Sequence, residues 1–174
     1  MPQGTKKEHI CKRCSRVYKT CCRTEPENTA NCFPLSISEL RALNRCLPGI
    51  RASQEETNTP EFIGSLQRLL PNQREIVGQK FPEQGTHLRL NTDYNGACVF
   101  LDPNGCLLPR EYRPLYCRLY PFWVYKGKVT LFDNPNCLAL QETRSVNGLV
   151  KLFNTSTNRI LELHELMLKN LALK

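Results

Sequence analysis

The chain has 174 residues, 40% of them hydrophobic, and a formal net charge of +8 at neutral pH. This length suits one domain with a hydrophobic core, and the mean hydropathy of −0.44 is that of a soluble globular protein. No apolar run approaches the roughly 18 residues that a membrane-spanning helix needs. The polar start, Met1 to Ile10, lacks the apolar stretch of a signal peptide. We therefore expect a cytoplasmic protein without a membrane span.

Ten cysteines are the most unusual feature of the composition. Disulfides are rare in the reducing cytoplasm, so this many thiols in a cytosolic chain favour metal binding over disulfide bonding. The positive charge would also suit a nucleic-acid partner. The sequence has no C₂H₂ spacing, ribonucleoprotein motif or helix-turn-helix pattern, and RNA binding of the zinc-knuckle kind stays open only as a lesser alternative.

The first cysteine-rich segment, residues 9–33, has no helical or strand periodicity and predicts an ordered loop. It is followed by a predicted helical insert over residues 36–80. Ser36 and Glu39 have the spacing of a capping box, which predicts a helix that continues to Leu47. We expect this helix to bury one apolar face, formed by Ile37, Leu40, Leu43 and Leu47.

The residues after this helix, Arg51 to Asn58, are polar and predict an exposed connection. Thr59 and Pro60 then predict the start of a second helix, which ends before Pro71. From Gly85 the pattern changes to short strands separated by turn residues, and the first predicted strand is His87 to Leu90.

A second cysteine-rich region spans residues 96–137, and its segment Ala97 to Leu101 also predicts a strand. Phe122 to Tyr125 and Lys128 to Phe132 predict a hairpin around Lys126 and Gly127. A final helix is predicted over about 146–172. We expect it to pack on the core through an apolar stripe of Ile160, Leu163, Met167 and Leu171, widened by Leu161, Leu166 and Leu168.

Eight cysteines have the surroundings of metal ligands. A Cys-x2-Cys pair can turn both sulfurs onto one ion, and we expect the later thiols to lie at turns, where backbone N–H groups can bond to sulfur. Adjacent side chains of an extended chain point to opposite faces, so we expect the Cys21–Cys22 pair not to bind one ion together. Two four-cysteine sites, or one site with spare thiols, both stay open. The eight candidates are Cys11, Cys14, Cys21, Cys22, Cys98, Cys106, Cys117 and Cys137.

Three further side chains are not expected to bind metal. Cys32 and Cys46 have no turn partner and predict small buried residues. His9 precedes Cys11 by two residues, but a single histidine in such a position is more often solvated than bound to metal.

The candidate ligands are all thiolates, which suits Zn²⁺ or an iron–sulfur cluster and disfavours Mg²⁺ or Ca²⁺. Of these we favour a [4Fe–4S] cluster. Arg113 and Arg118 flank Cys117 and are expected to donate to thiolate sulfur or to neighbouring carbonyls. Water would be excluded from the metal by the aromatic residues Tyr116, Tyr120, Phe122 and Trp123.

Two stretches of the chain resemble the YkgJ-type cysteine-cluster family, described as a zinc- or iron-chelating domain. The first is Cys11-Lys-Arg-Cys14 with Cys21-Cys22-Arg23. The second extends from Gly96-Ala-Cys98 through Gly105-Cys106 to Arg113-Pro-Leu-Tyr-Cys117-Arg-Leu-Tyr-Pro121-Phe122. The resemblance implies metal binding by these cysteines and leaves the helices between and after them unmatched. A similar motif in flagellin lysine-N-methylase makes a modifying enzyme a possible relative.

We therefore predict a small single α+β domain, residues 1–174, of helices, short strands and ordered loops around a cysteine-ligated metal centre. The two cysteine regions are expected to meet in space. The leading hypothesis is a metal-binding protein in electron transfer, metal handling or assembly, with a protein partner that the sequence does not identify. The alternative is an enzyme that modifies protein or RNA, with the metal as catalyst or support, so whether the chain is an enzyme stays open.

Overall fold

A computed structural model describes residues 9–16, 20–24 and 32–174, and over these ranges the chain has the predicted α+β fold. Its short helices alternate with antiparallel strand pairs, and two 3₁₀ turns lie at Pro71–Gln73 and Arg110–Tyr112. Before the first 3₁₀ turn the elements are α1 (Ile10–Cys14), α2 (Ile37–Cys46), β1 (Ser53–Thr57) and α3 (Pro60–Leu69). They continue with α4 (Arg74–Lys80), β2 (Thr86–Leu90), β3 (Leu101–Asp102), β4 (Gly105–Cys106), α5 (Leu115–Leu119), β5 (Phe122–Tyr125), β6 (Lys128–Leu131), α6 (Leu138–Glu142), α7 (Val146–Leu152) and α8 (Thr157–Asn170).

The starts of α2 and α3 confirm the helix boundaries expected from the sequence. The Glu39 N–H donates to Ser36 Oγ at 3.3 Å, and the Ser36 N–H donates to Glu39 Oε2 at 2.9 Å, which completes a capping box. The Phe62 N–H donates to Thr59 Oγ1 at 3.2 Å at the start of α3. In both cases a short polar side chain satisfies an amide that the first helical turn leaves unpaired.

The polar segment from Arg51 to Asn58 is not an exposed connection, which corrects the sequence prediction. Its residues form β1, which pairs antiparallel with β2 from Ser53 opposite Leu90 to Thr57 opposite Thr86. The polar composition did not indicate a strand, because the charge of Glu56 is offset by a distant residue: Glu56 accepts an ion-paired hydrogen bond from the buried Arg89 on β2.

His87 on β2 is buried, with 6% of its surface exposed, and its ring stacks on Phe62 at 3.7 Å between centroids. The Asn58 amide nitrogen donates to the Pro82 carbonyl at 2.9 Å, so the amide oxygen of Asn58 accepts from His87 Nδ1–H at 2.9 Å. His87 Nε2 is buried without a hydrogen-bond partner. Burial therefore lowers the pKa of His87 to about 4, although Glu56 opposes the shift and Arg89 adds to it.

The hairpin of β5 and β6 is as predicted, with Lys126 and Gly127 at its turn. Both residues have positive φ, 49° and 74°, as the commonest two-residue hairpin turn requires. The strand predicted over Ala97 to Leu101 is wrong. Asp93 Oδ1 accepts from the Asn95 and Ala97 amides, both at 2.9 Å, and bends the chain, so that only isolated bridges form before β3 begins.

The single helix predicted over residues 146–172 is two helices, α7 and α8. Asn154, with φ of 48°, breaks the helix between them, and Ser156 caps α8 by accepting from the Arg159 N–H at 3.1 Å. Ile160, Leu163 and Met167 are buried, as the apolar stripe predicts. Leu166, which was expected to widen the stripe, is 44% exposed.

Two apolar clusters hold these elements together. The larger cluster combines buried side chains from α3, α5, β5, α7 and α8, including Leu119 and Leu149, which have no exposed surface. The smaller cluster contains Leu35, Leu43, Ala52, Phe100 and Leu108. Only Leu43 of the expected α2 face is fully buried; Leu40 and Leu47 pack partly exposed against this smaller cluster, and Ile37 is 55% exposed.

Among the helices in the described ranges, none has both the length and the apolar character that crossing a membrane would demand.

Candidate metal centre

A cavity of about 640 Å³ lies between the two apolar clusters and is lined by thiols from both cysteine regions. It also contacts apolar residues of the small cluster and Met167 of the large one. Eight cysteines face it, and seven of them are sequence-predicted ligands. These eight are Cys11, Cys14, Cys21, Cys22, Cys32, Cys98, Cys106 and Cys117.

The two cysteine regions meet along a short length of paired backbone, as predicted. The Cys98 N–H donates to the Cys22 carbonyl at 2.8 Å, and the Thr24 N–H donates to the Gly96 carbonyl at 2.8 Å. Arg23 and Ala97 form an antiparallel bridge between these bonds. This pairing places the Cys21–Cys22 segment directly against the turn that carries Cys98.

Gly96 makes this close approach possible. Its φ is +74°, and a Cβ built on it would lie 1.8 Å from the carbonyl oxygen of Thr24. Any other residue would both occupy a left-handed conformation and collide with backbone. The glycine beside Cys98 is therefore a condition for the two cysteine regions to meet.

Cys11 and Cys14 lie on α1, where the sequence predicted a loop. Three residues apart on a helix, they lie on one face. The Cys11 N–H donates to His9 Nδ1 at 3.2 Å, so the His9 side chain caps the helix. His9 itself is exposed, as expected for a solvated side chain. The parts of the predicted loop at 17–19 and 25–31 lie outside the described residues.

Cys117 lies on α5 and not at a turn, which corrects the sequence prediction for this residue. Pro114 precedes the helix, and Leu115 and Leu119 point into the large core with 3% and 0% exposure. Cys117, midway between them, is on the opposite face and lines the cavity.

Glu39 fixes the position of α5 and was missed as a site residue. Its Oε1 accepts from the Leu115 N–H at 2.7 Å while its Oε2 completes the capping box at Ser36. The side chain also lines the cavity. The capping box was visible in the sequence, but its second bond joins residues 76 positions apart and has no local pattern.

Cys21 and Cys22 are in contact, contrary to the expectation that they point to opposite faces. The backbone is a turn here, so the alternation of an extended strand does not apply. The Cys21 thiol donates a hydrogen bond to the Cys22 sulfur, which lowers the pKa of Cys22 to about 7. The Arg113 guanidinium and the Thr20 hydroxyl support this shift, while burial opposes it.

The other cavity thiols are protonated at neutral pH in the absence of metal. Burial raises the pKa of Cys11 to about 11 and that of Cys98 to about 12, and it raises the pKa of Cys117 well above its ordinary value. Cys21 and Cys117 keep solvent-accessible surface although protein surrounds them, because that surface faces the cavity. Ligation by these thiols therefore requires that metal displace their protons.

Backbone amides already point at three of the sulfurs. The Leu138 N–H donates to Cys14, and the amides of Phe100 and Leu108 donate to Cys98 and Cys106. Bonds of this kind favour the thiolate form, which is the form that binds metal.

The two predicted arginines differ in their positions. Arg113 lines the cavity, its Nε donates to the Leu108 carbonyl at 3.0 Å, and its charge favours the thiolates of Cys11 and Cys106. Arg118 donates to the Glu111 carbonyl at 3.4 Å and is not part of the cavity lining.

The predicted aromatic residues divide between the cavity and the core. Tyr116 and Tyr120 line the cavity, and Tyr116 stacks on Phe33 with 4.7 Å between ring centroids. Phe122 and Trp123 are buried in the large cluster instead. Two of the four residues are therefore placed to limit the access of water to the thiols.

The remaining cysteines are placed differently from one another. Cys32 lines the cavity, where its thiol lies 3.6 Å from Thr24 Oγ1, so it is not the ordinary core residue that we expected. Cys46 packs against the smaller apolar cluster, as expected. Cys137 precedes α6 and packs against the larger cluster beside Cys14, outside the cavity lining.

In the described part of the chain, no group of three or more histidine, cysteine, aspartate or glutamate side chains is arranged to hold a metal ion. The thiols line the wall of the cavity without converging on one point. A second cavity, of about 180 Å³, lies between Leu131 and Arg144 and has no cysteine among its lining residues.

Comparison with known proteins finds no match to this chain among protein-family models, curated proteins or solved structures.

Proposed function

We propose that this protein binds a thiophilic metal centre, Zn²⁺ or an iron–sulfur cluster, in the cysteine-lined cavity, and acts in electron transfer, metal handling or assembly. One observation carries the proposal: eight thiols from segments far apart in the sequence line a single cavity. Cysteines that served only as small buried residues would not be expected to cluster around one cavity.

The donor set fits such a metal. Among the described residues, Glu39 supplies the one carboxylate of the cavity lining, and it already accepts hydrogen bonds from Ser36 and Leu115. Sulfur is therefore the available ligand, which favours zinc or iron–sulfur centres over Mg²⁺ and Ca²⁺. The resemblance of the cysteine pattern to the YkgJ-type family supports the same class of ligand.

Besides the thiols, the cavity lining provides a positive charge and aromatic surface. Arg113 brings positive charge to Cys11, Cys22 and Cys106, which offsets the repulsion between thiolates. Tyr116 and Tyr120 border the thiols with aromatic surface. A bound iron–sulfur cluster would supply one-electron chemistry, whereas bound zinc would cross-link the two cysteine regions.

The test is anaerobic purification followed by metal analysis and a visible absorption spectrum. We expect metal in a fixed ratio to protein. A brown protein with iron and acid-labile sulfide would identify a cluster, and a colourless protein with zinc would identify the ion. Protein that contains neither metal, and takes up neither on reconstitution, would contradict the proposal.

A pair of matched variants locates the metal within the fold. Cys117→Ser is expected to lower the metal content, because Cys117 lies on the cavity wall. Cys46→Ser makes the same chemical change in the small apolar cluster and is expected to keep the metal content of the parent protein. Equal metal contents in the two variants would show that the cavity is not the binding site.

A further inference from the structure

The cavity is much larger than a metal ion needs, and part of its wall is apolar. Its volume of about 640 Å³ lies in the range of pockets that enclose small organic molecules. Leu35, Phe100 and Leu108 of the small apolar cluster belong to the wall, and Met167 of the large cluster borders it as well. The thiols alone therefore account for neither the size of the cavity nor its lining.

Two arginines also line this cavity, one from each cysteine region. Neither Arg23 nor Arg113 forms an ion pair with a carboxylate among the residues that the structure describes. The carboxylate of Glu39, which is also in the lining, accepts from the amides of Ser36 and Leu115. In the described lining the guanidinium groups thus outnumber the carboxylates, which favours a negatively charged ligand.

Arg113 is anchored at the apolar part of the cavity wall. Its Nε–H donates to the Leu108 carbonyl at 3.0 Å, and Leu108 itself is buried in the small cluster. This bond leaves the two terminal amino groups of the guanidinium, which can donate side by side to two oxygens of one anion. An anion bound to Arg113 would therefore have apolar surface close beside it.

We propose that this cavity binds a small organic anion, whose apolar body packs against Leu35, Phe100 and Leu108 and whose charged group is held by Arg113. Pockets for small molecules have this composition, a mostly apolar wall with a few polar groups that orient the ligand. The inference goes beyond the proposed function and does not depend on it, because it uses the apolar wall and a guanidinium rather than the thiols.

The test uses the purified full-length protein with anilinonaphthalene sulfonate, a fluorescent organic anion, as the probe. Decanoate and decyl phosphate compete with one apolar chain and a carboxylate or a phosphate, whereas decanol carries the same chain without charge. We expect at least one of the two anions to displace the probe at a concentration at which decanol does not, because Arg113 binds the charged group. The stronger competitor identifies the kind of anion. Equal displacement by decanol, or no displacement by either anion, would overturn the proposal.

Met167 reports where the anion binds. It lines the cavity, and the chain has only two methionines, so methionine-methyl labelling gives a simple NMR spectrum. The stronger competitor should shift the Met167 methyl signal as it saturates the protein. An unshifted signal would place the anion outside the cavity and overturn the proposal. This measurement needs no substitution.

Arg113→Gln and Arg110→Gln form a matched pair, because each removes a guanidinium that donates to a backbone carbonyl. Arg113 lines the cavity, whereas Arg110 is not part of its lining. We expect Arg113→Gln to weaken binding of the anion about tenfold and Arg110→Gln to weaken it by less than about threefold. Equal affinities in the two variants would overturn the role of Arg113.

Metal analysis of the same samples separates this inference from the proposed function. Metal in the protein without binding of either anion would contradict only the organic ligand. Binding of an anion at Met167 by protein that neither contains nor takes up metal would contradict only the metal centre.

Discussion

Leu119 and Cys117 lie two residues apart on α5, yet they belong to two different parts of the molecule. Leu119 is fully buried in the large cluster, whose stability comes from apolar surface removed from water. Cys117 faces a cavity walled by turns, short strands and thiols. The first region packs by itself, whereas the second has room that its own side chains do not fill.

This difference matters for how the protein folds. A packed core loses stability whenever a methylene group is removed, but a region built around an unfilled cavity gains stability from whatever it binds. The two regions should therefore respond to different perturbations.

Gly96→Ala should have the largest effect, because the added Cβ would lie 1.8 Å from the Thr24 carbonyl oxygen. We expect the two cysteine regions to separate and metal uptake to be lost. Gly127→Ala is the matched control, since Gly127 has the same φ of +74° but nothing within 4 Å of the new Cβ. It should cost about 1–2 kcal/mol of stability and keep metal uptake. Metal analysis and urea unfolding of both variants test this, and full metal content in Gly96→Ala would contradict it.

Leu119→Ala should lower the free energy of unfolding by about 2–5 kcal/mol, because it leaves a hole in a fully buried site. Chemical denaturation measures this value directly. Below the unfolding transition the variant should still bind metal, since Cys117 lies on the other face of α5. A loss of metal from the folded variant would show that the two faces are not separable.

Acid should destabilise the large core through His87, whose pKa falls from 6.5 to about 4 on folding. The unfolded chain then binds more protons than the folded one between these values, so stability falls as pH decreases through this window. The full effect is roughly 3 kcal/mol. Urea unfolding at several pH values should show this loss in the parent protein and a flatter dependence in His87→Gln. Identical pH profiles would assign the loss to other groups.

Cys46→Ala should have the smallest effect, about 1 kcal/mol or less, because the thiol is a partly buried member of the small cluster. Thermal melting and metal analysis should both stay close to the parent values. A clear drop in metal content would mean that Cys46 contributes to the centre after all.

The parts of the fold that the sequence predicted are those with local causes. The Ser36 capping box, the Thr59 helix start and the turn at Lys126 and Gly127 each depend on residues a few positions apart. The strand β1 was missed because the charge of Glu56 is offset by a distant partner, Arg89 on β2.

In the candidate site, too, the sequence predicted the features that have local causes and missed the others. The clustering of Cys11, Cys14 and Cys98 around one cavity followed from spacing and turns. The presence of Cys32 at the cavity did not, because no local pattern marks it. The contact between Cys21 and Cys22 was missed because a turn replaces the extended backbone that we assumed.

The Glu39 carboxylate couples the motions of two helices, because it accepts backbone hydrogen bonds at the start of both. One oxygen accepts from Ser36 at the start of α2, and the other accepts from Leu115 at the start of α5. An opening of α2 that withdraws this carboxylate leaves the Leu115 amide without its acceptor. Hydrogen exchange at that single amide, two residues before Cys117, should therefore follow the opening of a helix some seventy positions earlier in the chain.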